Sequence, residues 1–319
     1  MAKVMRYTTH AQVLKDHKHI DWVSVVDPTE AAREAAQQNW QIAKTFASAQ
    51  EHDNKQEIDL LILATPPAER LANLKAFPAL KAVIMEKPLA PDMESAREVI
   101  DYCRQHNILV QVNLLRRGDQ LTRSLMHGGI EAYTGKVISV FGLYGNGLRN
   151  NGLHMIDVVR MTIGDIYSAR ALSGTKIEES PMPGDFGIPF QLTVKQEARL
   201  IPVCFTPVPF NKYRENGMQF FGERGRFDYW HGGLTISASP LAPSRMGGGE
   251  MELAHDKPGH IDATMGEALY NMYSNLIDGL TKESPLYSTG QSALTSTAVV
   301  EAIFRSAKSQ GEEIVLAGY

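Results

Sequence analysis

Ala82-Val83-Ile84-Met85-Glu86-Lys87-Pro88 is the stretch on which the reading of this chain turns. Its four leading apolar residues make a short unbroken run, the pattern of a buried strand. A charged pair at the carboxyl end of such a strand stands where open α/β sheets place their ligands. Pro88 ends the strand and fixes the turn, which gives Lys87 a set direction. A lysine held there, partly out of water, is suited to moving protons. By itself the tripeptide is better explained by a solvated lysine at the start of a loop, so its surroundings must decide.

Outward from this run the chain alternates strand and helix. Residues 22–26 and 43–46 read as strands, with an alanine-rich helix over 29–38 between them. Ser48 is placed to cap a following helix. Residues 60–64 form the next buried strand, stopped at Thr65-Pro66-Pro67, and Pro67 suits the first turn of a helix through Leu74. Asp92 caps a helix with Met93, Ala96, Val99, Ile100 and Cys103 on one face, and residues 108–112 close the series. Strands separated by helices of this length predict a doubly wound parallel sheet.

The start of the chain is different. Val4, Tyr7, Ala11 and Leu14 share a helical face, so the chain is expected to open on a helix. A dinucleotide-binding fold should open on a strand and a G-x-G-x-x-G/A loop. Ala2 fits the last small position of that loop, close to twenty residues before Asp27, the expected ribose-binding acid. The expectation is that the first strand and both leading glycines precede Met1. The alternative is that residues 2–6 are themselves a short first strand.

After Gly135 the pattern changes. Residues 136–144 read as a strand and 150–164 as a helix. β-prone runs follow at 166–171, 191–206, 219–221, 226–230 and 234–238, with no helices between them. They predict a large, mostly antiparallel sheet, one face of which is open to a second subunit. Residues 240–262 read as a long loop around Gly247-Gly248-Gly249, and two helices close the chain over 266–280 and 290–309. The expected architecture is thus α/β in residues 1–114 and α+β in 115–319, the last helices packing back on the first domain.

The totals fit an ordinary globular protein. The chain has 319 residues, of which 43% are hydrophobic and 21% charged, enough for a sizeable core without a metal or disulfide staple. A net charge of −4 and the lack of a dense Lys/Arg run argue against nucleic acid. Cys103 and Cys204 make no metal or redox spacing. No apolar stretch is long enough to span a membrane, and a reducing cytoplasmic setting fits best.

A second chemical cluster lies at Asn150, Gly152, His154 and Asp157. On an α-helix Asn150, His154 and Asp157 would share one stripe of an otherwise apolar, buried segment. Buried polar groups need partners, so a structural His154–Asp157 hydrogen bond is the plain reading. No third ligand stands at metal-binding spacing.

In this order, Asp27 after a strand, Ala64-Thr65-Pro66-Pro67, Glu86-Lys87-Pro88 and Gly152-x-His154-x-x-Asp157, the chain resembles the Gfo/Idh/MocA family. That family includes glucose–fructose oxidoreductase, inositol dehydrogenase and a rhizopine-catabolism protein. The likeness runs from Ala2 to Val315. It implies a Rossmann-like first domain and a hydride exchange between nicotinamide and a hydroxyl carbon of a sugar, nucleotide sugar or cyclitol. Ala2, Asp27, Thr65, Pro66, Glu86 and Lys87 would contact the cofactor, and Asp27 favours NAD over NADP by repelling a 2′-phosphate. Lys87, Arg149, Asn150 and His154 would meet the substrate. His154 would act as general base, with Lys87 as electrostatic and proton-relay partner and Asn150 beside them.

There are departures from the family pattern. Members similar to inositol dehydrogenase carry aspartate where this chain has Asn150, which cannot take a proton, so the basicity of His154 would rest on other partners such as Asp157. Position 70 is Arg where the family often has His. The run Tyr144–Asn151 is rich in hydrogen-bonding groups suited to polyols, and Lys212, Tyr213 and Arg214 form a second candidate anion patch. Two other readings stay open: a non-catalytic sugar or cofactor sensor, and a redox-neutral NAD-dependent elimination or glycoside-cleaving enzyme. No metal is expected, and a homodimer or homotetramer through the open sheet face is.

Overall fold

The computed structural model describes residues 5–172, 178–197, 199–254 and 258–316. It divides into two compact units: residues 1–118 with 266–294, and residues 119–265 with 295–319.

The first unit is built on parallel strands. Leu60–Leu63, Ala82–Met85 and Leu109–Val112 form one ladder, with Leu60 opposite Ala82 and Ala82 opposite Leu109. All four residues of the Ala82–Met85 strand are fully buried, as a central parallel strand requires. Ser24–Val26 and Lys44–Phe46 form a second parallel ladder, which no hydrogen-bonded strand joins to the first among the described residues. One face of the three-stranded sheet packs Ala82 and Ile84 with Val13, Leu269, Tyr273 and Leu276, from helices His10–Asp16 and Ala268–Lys282. Gln111 locks that second helix down. Its amide donates to the Met272 carbonyl and Asn275 Oδ1 at 2.9 Å, and its oxygen accepts from the Ser288 N–H at 3.0 Å. Helix Met93–Gln105 packs on the Leu109–Val112 strand and buries Ala96, Val99 and Cys103, and Asp92 caps it by accepting from the Ser95 N–H at 2.8 Å.

Some expected elements differ. The opening helix begins at His10. Thr9 caps it with Gln12 in a reciprocal box, which fixes the first turn there and leaves residues 5–9 outside it. Residues 5 and 6 are in no strand; Ala2 and Val4 lie outside the described residues. Ser48 does not cap a helix. Its hydroxyl donates to Glu51 at 3.1 Å, and only the short 3-10 turn Ala49–Glu51 follows.

The second unit is dominated by a sheet of ten described strands. Its order is Met251–Leu253, Thr235–Pro243, Gly225–Trp230, Gly217–Gly222, Val137–Tyr144, Arg199–Pro207, Phe190–Gln196, Ile166–Ala171 and Ile314–Val315, with Gly259–Ile261 also paired to Thr235–Pro243. Its pairs are antiparallel apart from Val137–Tyr144 with Arg199–Pro207. The 191–206 run is two strands, not one. Residues 240–262 are less of a loop than their glycines suggest. The Ser244 N–H donates to the Glu250 carbonyl at 2.8 Å and closes a hairpin, with Gly247, Gly248 and Gly249 all at positive φ in its turn. Helix Leu153–Ile163 is buried almost all round, as its apolar composition requires. Among the described residues no helix is long and apolar enough to cross a membrane.

Candidate functional site

In the first unit the chemistry gathers where the parallel strands end. Thr65 follows Leu60–Leu63, Glu86 follows Ala82–Met85, and Asn113 follows Leu109–Val112. Glu86 is held from two sides through one oxygen. His10 Nε2 lies 2.9 Å and Asn113 Nδ2 2.5 Å from its Oε1. The other ring nitrogen of His10 is 2.7 Å from the Tyr273 hydroxyl. Burial alone would raise the Glu86 pKa. The hydrogen bonds from His10 and Asn113 and the charges of His10 and Lys87 outweigh it and hold the carboxyl below its usual value. Glu86 therefore stabilises the first unit above the usual carboxylate pKa, and that contribution disappears as pH falls through its lowered value. Glu86→Gln should flatten the acid limb of a stability–pH curve, as read by denaturant titration at several pH values.

Arg70 ties two of these strand ends together. It is 1% exposed, donates to the Pro88 carbonyl through Nη1, and reaches the Thr65 carbonyl through Nη2 at 3.4 Å. Burial lowers its pKa to about 10, opposed by the charge of Glu86, so it remains a cation at neutral pH. The peptide bond between Lys87 and Pro88 is cis, and Lys87 is half-buried. Two buried polar atoms at these strand ends, Thr65 Oγ1 and Asn113 Oδ1, make no hydrogen bond. Such atoms are costly inside a protein and suit a ligand that offers donors and acceptors.

Asp27 stands at the end of the Ser24–Val26 strand. One carboxylate oxygen accepts from the Thr29 N–H at 2.8 Å, and Arg33 donates to the Asp27 and Pro28 carbonyls at 2.7 and 3.0 Å. These bonds fix the turn.

In the second unit Asn150 and His154 stand on different kinds of turn. Leu148–Gly152 is a π-helical turn, with the Gly152 N–H donating to the Gly147 carbonyl at 3.1 Å, and the α-helix starts at Leu153. The stripe expected for Asn150, His154 and Asp157 assumed one regular helix. The wider turn rotates Asn150 off that spacing, a feature that often marks functional helices. Asp185, 4% exposed, holds the turn by accepting from the Arg149 N–H at 2.9 Å and the Asn150 N–H at 3.1 Å. Gly147 is needed at its start. It sits at φ +87°, and an added Cβ would lie 2.1 Å from Asp185 Oδ2.

The Arg149 side chain is engaged within this unit. It donates to Glu301 at 3.0 and 2.8 Å and lies 4.2 Å over the Phe304 ring. Its charge is matched there, which braces the turn against the closing helix. Asp157 accepts from Ser296 at 2.8 Å and lies 3.8 Å from Arg160. Its carboxylate is thus anchored on the closing helix. Lys212, Tyr213 and Arg214 are exposed on and beside the short helix Phe210–Tyr213. Cys103 is buried, which pushes its thiol up to about 12 and leaves it inert. No group of three or more His, Cys, Asp or Glu among the described residues is placed to hold a metal ion.

The residues that sequence reasoning missed here are His10, Asn113, Tyr273 and Asp185. Each acts through partners distant in the chain.

Residues 4–114 match the family model GFO_IDH_MocA, described as an oxidoreductase family with an NAD-binding Rossmann fold. No curated protein matches the chain. Solved structures share the fold over nearly the whole length. An oxidoreductase from Agrobacterium radiobacter in complex with NAD+, L-tartaric acid and magnesium is 16% identical with a TM-score of 0.75, covering 96% of this chain and 94% of its own. The WlbA dehydrogenase of Bordetella pertussis, in complex with NADH and UDP-GlcNAcA, is 19% identical with a TM-score of 0.71, covering 96% and 94%. An NAD binding oxidoreductase from Klebsiella pneumoniae is 14% identical with a TM-score of 0.71, covering 93% and 90%. Residues 4–114, whose parallel strand ends carry the cluster around Glu86 and Lys87, are thus similar to an oxidoreductase family with an NAD-binding Rossmann fold.

Proposed function

We propose that this oxidoreductase moves hydride between NAD and a hydroxyl-bearing carbon of a sugar, nucleotide sugar or cyclitol, with Lys87 and His154 handling the proton. The observation that carries the reading is the cluster at the strand ends: an ionised Glu86 fixed by two partners, beside Lys87, with Thr65 Oγ1 and Asn113 Oδ1 buried and unsatisfied. These residues fit a nicotinamide cofactor, whose carboxamide and ribose hydroxyls offer the missing donors and acceptors. Bound there, NAD supplies the hydride acceptor. Thr65, Pro66, Glu86 and Asn113 would hold its nicotinamide half, and Asp27 its adenosine ribose. Polyol-like ligands in similar folds, tartrate in the Agrobacterium protein and a nucleotide sugar acid in the Bordetella one, support the substrate class.

In this reading His154 takes the hydroxyl proton at a ring nitrogen. Lys87, a cation beside a carboxylate, stabilises the developing alkoxide and passes the proton on. Asn150 orients the substrate through its amide and takes no proton. Incubating the protein with NAD and a panel of sugars, sugar acids, nucleotide sugars and cyclitols tests this. Net NADH supports the dehydrogenase. Product without net NADH marks the redox-neutral enzyme, and binding without either marks the sensor.

The cofactor choice carries its own test. The Asp27 carboxylate should accept from ribose hydroxyls and repel a 2′-phosphate. Asp27→Asn should weaken NAD binding roughly ten-fold, the scale of a hydrogen bond to a charged group, and narrow the preference over NADP. Titration of both cofactors by protein fluorescence reads this, and an unchanged preference would remove Asp27 from the adenosine site.

We further propose that a second copy of the chain covers the open face of the large sheet. Ile138, Phe141, Tyr167, Leu200 and Val315 are 41–61% exposed on its strands. A self-complementary apolar face suits a two-fold pair. Phe141→Glu with Leu200→Lys should shift the species seen by analytical ultracentrifugation to monomer. A monomeric wild type would refute the pairing.

A further inference from the structure

The mechanism leaves His10 and Tyr273 without a task, yet they form a continuous chain with Glu86: the Tyr273 hydroxyl, His10 Nδ1 at 2.7 Å, and His10 Nε2 at 2.9 Å from the Glu86 carboxylate. An ionised carboxylate only accepts, so Nε2 carries the proton in this bond. With His10 neutral, the tyrosine donates its O–H to Nδ1. With His10 charged, Nδ1–H donates to the tyrosine oxygen. Both states keep the two hydrogen bonds of the imidazole, and the tyrosine hydroxyl hydrogen turns away from Nδ1 when the ring is charged. Burial first, and the charge of Glu86 second, raise Tyr273 well above the usual phenol value, so it stays a phenol throughout. The groups bonded to the imidazole are Glu86 from the strand end and Tyr273 from helix Ala268–Lys282, and the charge of Lys87 acts on the same carboxylate. Arg70 acts on the same carboxylate, and the His17 ring lies 6.4 Å from that of Tyr273.

We infer that His10, backed by Tyr273, is a positioning residue that adjusts the charge Glu86 presents to the redox state of the nicotinamide. This rests on the reading of Glu86 as a contact of the cofactor's nicotinamide half. The oxidised ring is a cation and offsets the carboxylate, so His10 stays neutral beside it. The reduced ring is neutral, the carboxylate loses that offset, and the imidazole takes a proton from solvent to replace it. By linkage, the NADH complex then holds more protons than the NAD+ complex. Nothing in the first unit has to move for this exchange.

Calorimetric titration of the full chain with each cofactor, at one pH in buffers of different ionisation enthalpy, counts protons taken up on binding without any turnover. NADH should take up a larger fraction of a proton than NAD+. His10→Gln, which keeps a donor toward Glu86 and cannot titrate in this range, should bind both cofactors with that difference abolished. Tyr273→Phe, which removes the acceptor for the charged imidazole, should shrink it and provides the test if the first variant fails to fold. Equal proton counts in the wild type, or an unchanged difference in His10→Gln, would overturn the inference while leaving the cofactor reading intact. A wild type that binds neither cofactor would overturn both.

Discussion

Lys87→Ala should lower turnover about 10³-fold, the middle of the range for a positioned proton-transfer group, with the fold intact. The lysine is half-buried at the mouth of a strand whose own residues are all buried, so its side chain is not part of the core. The structural tasks around it fall to others. Arg70 holds the Pro88 carbonyl, and His10 and Asn113 hold Glu86. Removing the ammonium therefore takes away a charge and a proton carrier without opening a cavity in the sheet. Lys87→Arg keeps the charge and cannot give up its proton, so it should recover substrate binding better than it recovers turnover. Steady-state kinetics with the fastest polyol of the panel, beside thermal unfolding, measures both. A near wild-type rate in Lys87→Ala would take the lysine out of the mechanism.

The second large effect belongs to His154. A base works only unprotonated, so in the wild type kcat/KM for oxidation should rise with pH through its titration. In His154→Ala that rise should vanish and the plateau should fall roughly 10³-fold. His154→Gln should not restore it, since an amide keeps the hydrogen bonds of an imidazole and none of its basicity. The turn before the helix should survive both changes. It is held by the Asp185 carboxylate on the Arg149 and Asn150 N–H groups and by the Arg149–Glu301 pair, none of which uses the imidazole. A variant whose pH profile matches the wild type in shape would refute the assignment.

The parts of this fold that could be read from the chain are those fixed by neighbours in sequence. Ala82–Met85 is a strand because its apolar residues are bracketed by a charged pair and a proline, and its bounds match the reading. Asp92 caps the next helix through a bond to a residue three places on. The parallel first unit and the antiparallel second follow from whether helices intervene between strands. The helix at His10 had a local signal too, the Thr9–Gln12 box, but the apolar spacing from Val4 onward masked it. Asn150 shows what spacing cannot carry, because nothing in the residue pattern marks its turn as one closed over five residues where a regular helix closes over four.

The site was legible where it is a motif and hidden where it is a meeting of distant residues. Glu86 and Lys87 announce themselves as a charged pair after a buried run. What fixes Glu86 does not, since His10 is 76 residues from it and Tyr273 is 263 residues from His10. Asn113 follows a strand without any flanking pattern, and only the sheet brings it beside Glu86. Arg149 looked available because Glu301 and Phe304 lie on the closing helix, far along the chain.

Hydride transfer itself can be followed atom by atom. The measurement is mass spectrometry of the cofactor after reaction of NAD with a panel substrate carrying deuterium on its carbinol carbons. The account predicts NADH that has gained deuterium from the substrate, with Lys87→Ala and His154→Ala forming it far more slowly. NADH without deuterium, or product formed with the label retained and no NADH, would contradict it.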